Sequence, residues 1–162
     1  MSYNYSMKDY SKENMARAIG ISLPISFKQS VEICNYIRNK KLSRAKDVLN
    51  KAINQQKAIP FRRFNDNTGH KKGIGPGKYP KKASLEILKL IDSVEANAQF
   101  KGMSTANLVI KHINANIASR MLHSGRKRGR KFKRTNIEIV VEEKADVKKE
   151  YKRHKPRAKQ ND

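Results

Sequence analysis

Residues 112–141 read HINANIASRMLHSGRKRGRKFKRTNIEIVV, and this stretch decides the fold. Apolar residues take every second position over 113–117 and again over 137–141, which is the repeat of a strand with one apolar face. Between the two runs lies a basic stretch that contains Gly125 and Gly129. The pattern therefore predicts an antiparallel β-hairpin over residues 106–143 with a long basic tip.

Three helices and one further strand are predicted before this hairpin. Ser26 followed by Gln29 is typical of a capping box at the start of the first helix, and Ser43 is suited to cap the second. The third helix is predicted over about residues 81–101, and the run 16–22 predicts a strand that pairs with the base of the hairpin. The predicted fold class is α+β, with three helices packed on a small antiparallel sheet and a long protruding basic β-hairpin.

The spacing of apolar residues also predicts which helix faces are buried. The polar face of the first helix carries Lys28, Glu32 and Arg38. The predicted buried stripes are Phe27, Val31, Cys34 and Ile37 in the first helix, Ala45, Val48, Leu49, Ala52 and Ile53 in the second, and Leu85, Leu88, Ile91, Val94 and Ala98, widened by Ile87 and Leu90, in the third.

The chain carries a large excess of positive charge. Its 162 residues include 37 Lys+Arg and 14 Asp+Glu, which gives a formal net charge of +23. Most of the excess lies in a loop segment (residues 62–82), a hairpin segment (residues 120–134) and a tail (residues 148–159). The candidate nucleic-acid-binding residues are Arg62, Arg63, Lys71, Lys72, Lys78, Lys81, Lys82, Arg120, Arg126, Lys127, Arg128, Arg130, Lys131, Lys133 and Arg134.

Like charges at this density favour a polyanionic partner. Phosphates bound to these cations relieve their mutual repulsion and release condensed counterions. A narrow hairpin with cations on both sides is suited to be surrounded by its partner, which favours folded RNA over a smooth DNA duplex. An architectural DNA-binding protein, which would use the same cations, is the alternative.

Catalysis, metal binding and membrane association have little support. The loop GIGPGK at 73–78 lacks the spacing and the following Ser or Thr of a nucleotide-binding loop, so a nucleotide-dependent enzyme that uses Lys78 ranks third. The four histidines are scattered and Cys34 is the single cysteine, so no metal site, disulfide framework or cofactor is predicted. No apolar run approaches the roughly 20 residues of a membrane span, and binding to a membrane surface is weaker still because the basic runs lack apolar anchors.

Composition divides the chain into three parts. Residues 1–15 are polar and predicted to be loosely ordered, and residues 144–162 form a predicted basic flexible tail. Residues 16–143 are predicted to form a single domain. Within it, the glycines and prolines from Pro60 to Pro80 predict a long basic loop without a regular element.

Several short motifs together resemble one known family. They are PFRRFN at 60–65, PKK at 80–82, EANA at 95–98, KG at 101–102, VIKHI at 109–113 and NIEI at 136–139. In this combination and order they resemble the universal large-subunit ribosomal protein family numbered twenty-two in bacteria and seventeen in eukaryotes, on its archaeal and eukaryotic branch. The resemblance covers about residues 16–143.

The resemblance implies a structural protein of the cytoplasmic ribosome, without enzymatic activity. Its partners would be large-subunit ribosomal RNA (rRNA), neighbouring large-subunit ribosomal proteins and the nascent polypeptide. By position, residues 120–134 would form the hairpin tip that lines the nascent-peptide exit tunnel. Arg62, Arg63 and the insertion 69–82 would hold rRNA near the body, and the protein would aid subunit assembly.

Overall fold

The computed structural model of the chain describes residues 3–144 and contains three helices and two small antiparallel sheets. The predicted α+β class is confirmed. The tail beyond Lys144, predicted to be flexible, lies outside the described residues. In chain order the elements are β1 (Met15–Leu23), α1 (Phe27–Ile37), α2 (Leu42–Ile53), β2 (Ile59–Pro60), β3 (His70–Lys71), β4 (Gly75–Lys78), α3 (Lys81–Phe100), β5 (Leu108–Ile117) and β6 (Thr135–Glu143), with single 3-10 turns at Thr105–Asn107 and Gly125–Lys127.

The main sheet has the strand order β1-β6-β5, and both neighbouring pairs are antiparallel. β5 and β6 are paired from Leu108 opposite Glu143 to Ile117 opposite Thr135, which confirms the antiparallel pairing predicted from the two alternating runs. β1 pairs with β6 along its length, as predicted for the run 16–22. One face of this sheet packs against α1 and α3, because the alternating apolar side chains of β5 and β6 all point to that side.

Part of the opposite face of the sheet, around Glu138 and His112, is covered by the N-terminal segment (residues 3–14). Ser6 donates from its backbone N–H to the Glu138 carboxylate at 3.0 Å and from its hydroxyl to the same group. The His112 Nε2 atom lies 3.0 Å from this carboxylate, which is 1% exposed. Residues 3–14 contain no helix or strand, yet these contacts tie them to β5 and β6. Glu138 is thus a buried, paired carboxylate.

The predicted face of α1 is correct for Cys34 and Ile37 and wrong for Glu32. Cys34 and Ile37 are buried, and Glu32 is also buried, at 3% exposure. Ser26 stands at the N-cap without a side-chain cap hydrogen bond, so the predicted capping box is absent. Glu32 is buried because its carboxylate binds backbone groups of the segment that follows β2.

The buried face of α3 agrees with the predicted stripe except at its start. Ile87, Leu90, Ile91, Val94 and Ala98 are buried as predicted, whereas Leu85, predicted to be buried, is 44% exposed and Ser84 is buried. This face packs on two sides, because α3 contacts both β1 and α2. The helix ends at Phe100, just before Gly102, the predicted stop, whose φ of 76° suits glycine and whose N–H donates to Gln99 O at 2.8 Å.

The region between Pro60 and Pro80 contains two short strands, so the prediction of no regular element there is wrong. β4 pairs with β2 on one side and with β3 on the other. Gly73 and Gly75 have φ values of 81° and 72°, and they form the tight turn between β3 and β4. The glycines that suggested an irregular loop therefore allow a small hairpin instead.

Candidate nucleic-acid interface

The loop segment (residues 62–82) is fixed at its start by Glu32 of α1. The Glu32 carboxylate accepts backbone N–H groups from Arg62 at 3.1 Å, Arg63 at 2.8 Å and Phe64 at 2.8 Å. A buried carboxylate is stable only when hydrogen bonds replace its lost water, and these three donors do so. The contact fixes the backbone at Arg62 and Arg63 and leaves both guanidinium groups exposed.

Aromatic rings hold several cations of the body. The Arg63 guanidinium lies 5.3 Å and the Lys28 Nζ 5.6 Å from the centre of the Phe64 ring. Lys71 lies 5.6 Å from the Tyr79 ring centre, and Lys78 lies 5.6 Å from that of Phe61. Such contacts are weak at exposed sites, so they orient these cations without neutralising them.

The hairpin segment (residues 120–134) continues the backbone pairing of β5 and β6. Ala118 N–H donates to Arg134 O at 3.2 Å, Phe132 N–H to Met121 O at 2.8 Å, and His123 N–H to Arg130 O at 2.9 Å. The rings of His123 and Phe132 stack across the two arms with centroids 3.7 Å apart. The segment is thus a paired ribbon, closed by the turn at Gly125, which has a φ of 68°.

The cations of both segments are exposed and lack acidic partners. Lys78 and Arg134 are half-buried, and every other candidate binding residue is exposed. Within residues 3–144, no candidate forms an ion pair with Asp or Glu. The loop segment contains one acid, Asp66, and several acids outside both segments pair with other lysines: Asp92 and Glu95 contact Lys46 at 2.7 and 2.5 Å, and Glu142 contacts Lys111 at 2.9 Å. The basic segments are therefore free to bind an external anion.

The structure brings part of the two segments together in one groove, which we call the Phe64 groove. Phe64 of the loop segment, Lys28 of α1 and Ile117 of β5 line it, together with Arg120, Lys133 and Arg134 of the hairpin segment. Arg134 is also fixed by a 2.9 Å hydrogen bond from its guanidinium to Ser22 O. The groove is therefore the place where the loop segment, the hairpin segment and the body meet.

A second groove and the remaining cations complete the surface. Lys82 at the start of α3 lines this second groove with His123, Lys131 and Phe132 of the hairpin segment. Lys71, Lys72 and the cations at the turn of the hairpin, Arg126–Arg130, line neither groove. The candidate residues thus form a discontinuous basic surface rather than one pocket.

Sequence reasoning missed three residues that matter at this surface. Lys28 and Ile117 line the Phe64 groove, and Glu32 positions the loop segment. Spacing predicts a solvated helical face for Lys28 and Glu32. It predicts that Ile117 belongs to the apolar face of its strand, but this side chain is 57% exposed. Local spacing carries no signal for any of them, because each depends on a segment far away in the chain.

The described residues show no other kind of site. No group of three or more His, Cys, Asp or Glu side chains within residues 3–144 could hold a metal ion, and no helix there is long and apolar enough to cross a membrane. Burial raises the pKa of the Cys34 thiol to about 12. Since thiolate is the reactive form, this cysteine is poorly suited to nucleophilic chemistry.

Comparison with known proteins decides the family. The model of the family described as "Ribosomal protein L22p/L17e" matches residues 18–142, from within β1 to within β6. The chain belongs to this ribosomal protein family. It is 45% identical over 147 residues to the large ribosomal subunit protein uL22 of Thermoplasma acidophilum, covering 85% of this chain and 96% of that protein. The uL22 protein of Archaeoglobus fulgidus is 37% identical, with 86% and 95% covered, and that of Thermoplasma volcanium is 42% identical, with 85% and 98% covered.

Membership of the L22p/L17e family confirms the coarser predictions. The chain is a structural ribosomal protein of the large subunit, it is located at the cytoplasmic ribosome, and it is not an enzyme. The match spans both basic segments, and the three relatives named above are archaeal, which agrees with the predicted archaeal and eukaryotic branch. None of the comparisons favours an architectural DNA-binding protein.

Proposed function

We propose that this L22p/L17e protein binds large-subunit rRNA through the loop segment and the hairpin segment together. The observation that carries the proposal is the set of exposed cations without acidic partners among residues 3–144. Each phosphate contact with such a cation releases condensed counterions, which supplies most of the binding free energy. Because the cations start without internal partners, binding costs no broken ion pairs.

The two segments take different parts in this binding. The hairpin segment extends between rRNA elements and lines the nascent-peptide exit tunnel, where it contacts the nascent polypeptide. A paired ribbon that carries Arg126, Lys127, Arg128 and Arg130 around its turn is suited to a crevice with phosphates on several sides. The loop segment holds rRNA beside the body. By joining separate rRNA elements, the protein aids assembly of the large subunit.

The rest of the chain supports these contacts. Residues 16–143 act as one domain, and the tail 144–162 contributes further Lys and Arg residues. The body of α2 and α3, whose charges are mixed, faces neighbouring large-subunit proteins. Ion pairs such as Lys46 with Asp92 and Glu95 leave that surface close to neutral, which suits protein contacts better than phosphate contacts.

The salt dependence of rRNA binding tests the proposal. We expect the logarithm of affinity for large-subunit rRNA to fall almost linearly with the logarithm of salt concentration. Reversing Arg128, Arg130 and Lys131 to Glu together should lower the slope by about two to three, because each phosphate contact contributes about 0.7–0.9. The matched control reverses Lys8, Lys12 and Lys51, which are exposed and outside both segments.

Two results would contradict the proposal. One is an equal decrease, in the two triple variants, of the slope of log affinity against log salt concentration. Such a result would mean that rRNA affinity depends on net charge alone and not on the hairpin segment. The other is binding to duplex DNA as tight as binding to structured rRNA in direct competition, which would favour the architectural DNA-binding alternative. Sedimentation of the tagged chain with large subunits after a moderate salt wash provides the independent check in the cell.

A further inference from the structure

The Phe64 groove combines an apolar floor with a cationic rim. Phe27, Phe64 and Ile117 supply the apolar surface. The rim is formed by Lys28, Arg120, Lys133 and Arg134, and no acidic side chain is among the residues that line the groove. Its volume of about 530 Å³ lies within the range of small-ligand sites, roughly 300–1,000 Å³.

The apolar floor is unusual because it is left partly open. Ile117 is 57% exposed although it ends the apolar face of β5. Phe64 is half-buried and packs edge to face on Phe27, with ring centroids 6.2 Å apart and planes at 64°. Phe64 is therefore held in place at one edge while part of its surface remains open to the groove.

The cations around this floor define what the groove accepts. Lys28 and Arg63 lie within 5.6 Å of the Phe64 ring centre. Arg120 and Lys133 also line the groove and have no acidic partner within residues 3–144, whereas Arg134 is fixed on Ser22 O. A ligand with a flat apolar face and an attached anionic group complements this arrangement on both counts.

We infer that the Phe64 groove binds a single unpaired nucleobase of large-subunit rRNA. The base packs against Phe64 and Ile117, and its flanking phosphates contact the cations of the groove, Lys28, Arg120 and Lys133. The inference rests on the proposed rRNA binding and adds the kind of nucleotide and its place. It makes the junction of the two basic segments a specific subsite rather than a general phosphate surface.

An unpaired base fits better than the alternatives. Bases within an A-form duplex are hidden in a deep, narrow major groove and cannot reach a protein aromatic ring, whereas bases of loops and bulges can be splayed out and stacked. An apolar side chain of a neighbouring protein would cover the floor but leave the rim cations without anions. Stacking also tolerates any base, because every base has a flat face that can pack on an aromatic ring.

The test uses the full-length chain and transcribed large-subunit rRNA. Phe64→Leu keeps apolar volume but removes the ring, and Ile117→Trp fills the groove from an exposed position that does not disturb the core. We expect each to weaken binding roughly 5- to 100-fold, the range for loss of one base–aromatic stack. The slope of log affinity against log salt concentration should stay unchanged, because neither substitution removes a phosphate contact. Phe100→Leu, at a residue 94% exposed on α3, is the matched control.

Ultraviolet crosslinking supplies a second readout that folding defects do not mimic. In the wild-type complex with large-subunit rRNA, peptide mapping should find a crosslinked nucleotide on Phe64 or Ile117. Wild-type affinity in Ile117→Trp, or crosslinks confined to the hairpin turn, would overturn the inference while leaving rRNA binding intact. If the wild-type chain itself shows no preference for large-subunit rRNA over duplex DNA, the proposed function fails first, so the two failures are distinguishable.

Discussion

The loop segment and the hairpin segment present similar cations on backbones that are supported in different ways. The start of the loop segment is held by Glu32, a buried carboxylate from α1 that accepts three backbone N–H groups. The hairpin segment is held by its own cross-strand pairs, such as Phe132 N–H to Met121 O. One segment therefore depends on a single distant side chain, and the other on local pairing and a turn.

This difference shows two ways in which a protein can position many cations without pairing them with Asp or Glu. In the loop segment the acid binds backbone amides rather than side-chain cations, so it positions Arg62 and Arg63 without removing their charge. The hairpin segment contains no acid, and the acids of β6 that follow it bind other groups: Glu138 binds Ser6 and His112, and Glu142 pairs with Lys111. Both arrangements keep the cations free for phosphates. Substitutions that break one support at a time should therefore have distinct effects.

Glu32→Gln should have the largest effect. The substitution keeps the shape of the side chain but removes the charge and one acceptor oxygen, and buried N–H groups of the loop segment lose a partner. We expect the free energy of unfolding to fall by about 2–3 kcal/mol, the range for hydrogen bonds to a buried charged group. Chemical denaturation at neutral pH measures this loss.

Glu86→Gln is the control for Glu32. Glu86 makes a surface pair with Lys89 at 3.3 Å, in which the lysine side chain is 71% exposed. Such a pair contributes at most about 0.5 kcal/mol. Equal, small effects of the two substitutions would show that the loop segment does not depend on Glu32.

Glu138 is a second buried carboxylate that binds a distant segment, since it holds Ser6 of the N-terminal segment on the sheet. Burial alone would raise the pKa of Glu138, but the hydrogen bonds from Ser6 and the proximity of His112 hold it below its ordinary value of 4.5. Because the folded pKa is the lower one, the stabilising contribution is present above pH 4.5 and is lost as the pH falls through the folded value. Glu138→Gln should therefore cost about 1–2 kcal/mol at pH 7.

The pH dependence gives this second prediction its check. The difference in unfolding free energy between wild type and Glu138→Gln should shrink towards zero as the pH falls below 4.5. Other carboxylates titrate in both proteins and cancel in the difference. A difference that stays constant from pH 7 to pH 3 would mean that the Glu138 charge does not hold the N-terminal segment.

Gly125→Ala tests the local support of the hairpin segment. The φ of 68° at Gly125 is unfavourable for alanine by about 1 kcal/mol. Because the turn is outside the core, we expect faster amide exchange at His123 and Phe132 with almost no change in the melting temperature of the body. Gly129→Ala is the control, since an added Cβ there has open space and Gly129 lacks a positive φ. Equal amide exchange rates in both variants would contradict the claim that the backbone conformation of Gly125 supports the hairpin segment.

Cys34 gives the smallest expected effect. Its thiol is 1% exposed and has a pKa raised to about 12 by burial. We expect no measurable reaction with a thiol reagent at pH 8 in the folded protein, and full reaction after unfolding. Rapid labelling of the native chain would show that the contact of α1 with the sheet opens readily.

The sequence predicted those features that depend on local periodicity. The three helices, the pairing of β5 with β6 and the exposed basic segments all follow from spacing within short windows. What it missed depends on contacts between distant segments. Glu32 looks solvated until residues 62–64 are brought onto α1, and Glu138 looks like the polar face of a strand until Ser6 covers it. The pairing of β3 with β4 likewise depends on how their glycines are placed, which composition alone does not give.

Directed cleavage of rRNA within assembled large subunits tests the central claim most directly. A hydroxyl-radical source attached through Ser124→Cys sits in the hairpin segment, while the buried Cys34 remains unlabelled. The same source on Ser43→Cys, exposed on α2 outside both basic segments, is the comparison. We predict strong cleavage of large-subunit rRNA from position 124, at more than one rRNA element, and weaker cleavage from position 43. Absence of cleavage from position 124, with cleavage from position 43 retained, would contradict the account.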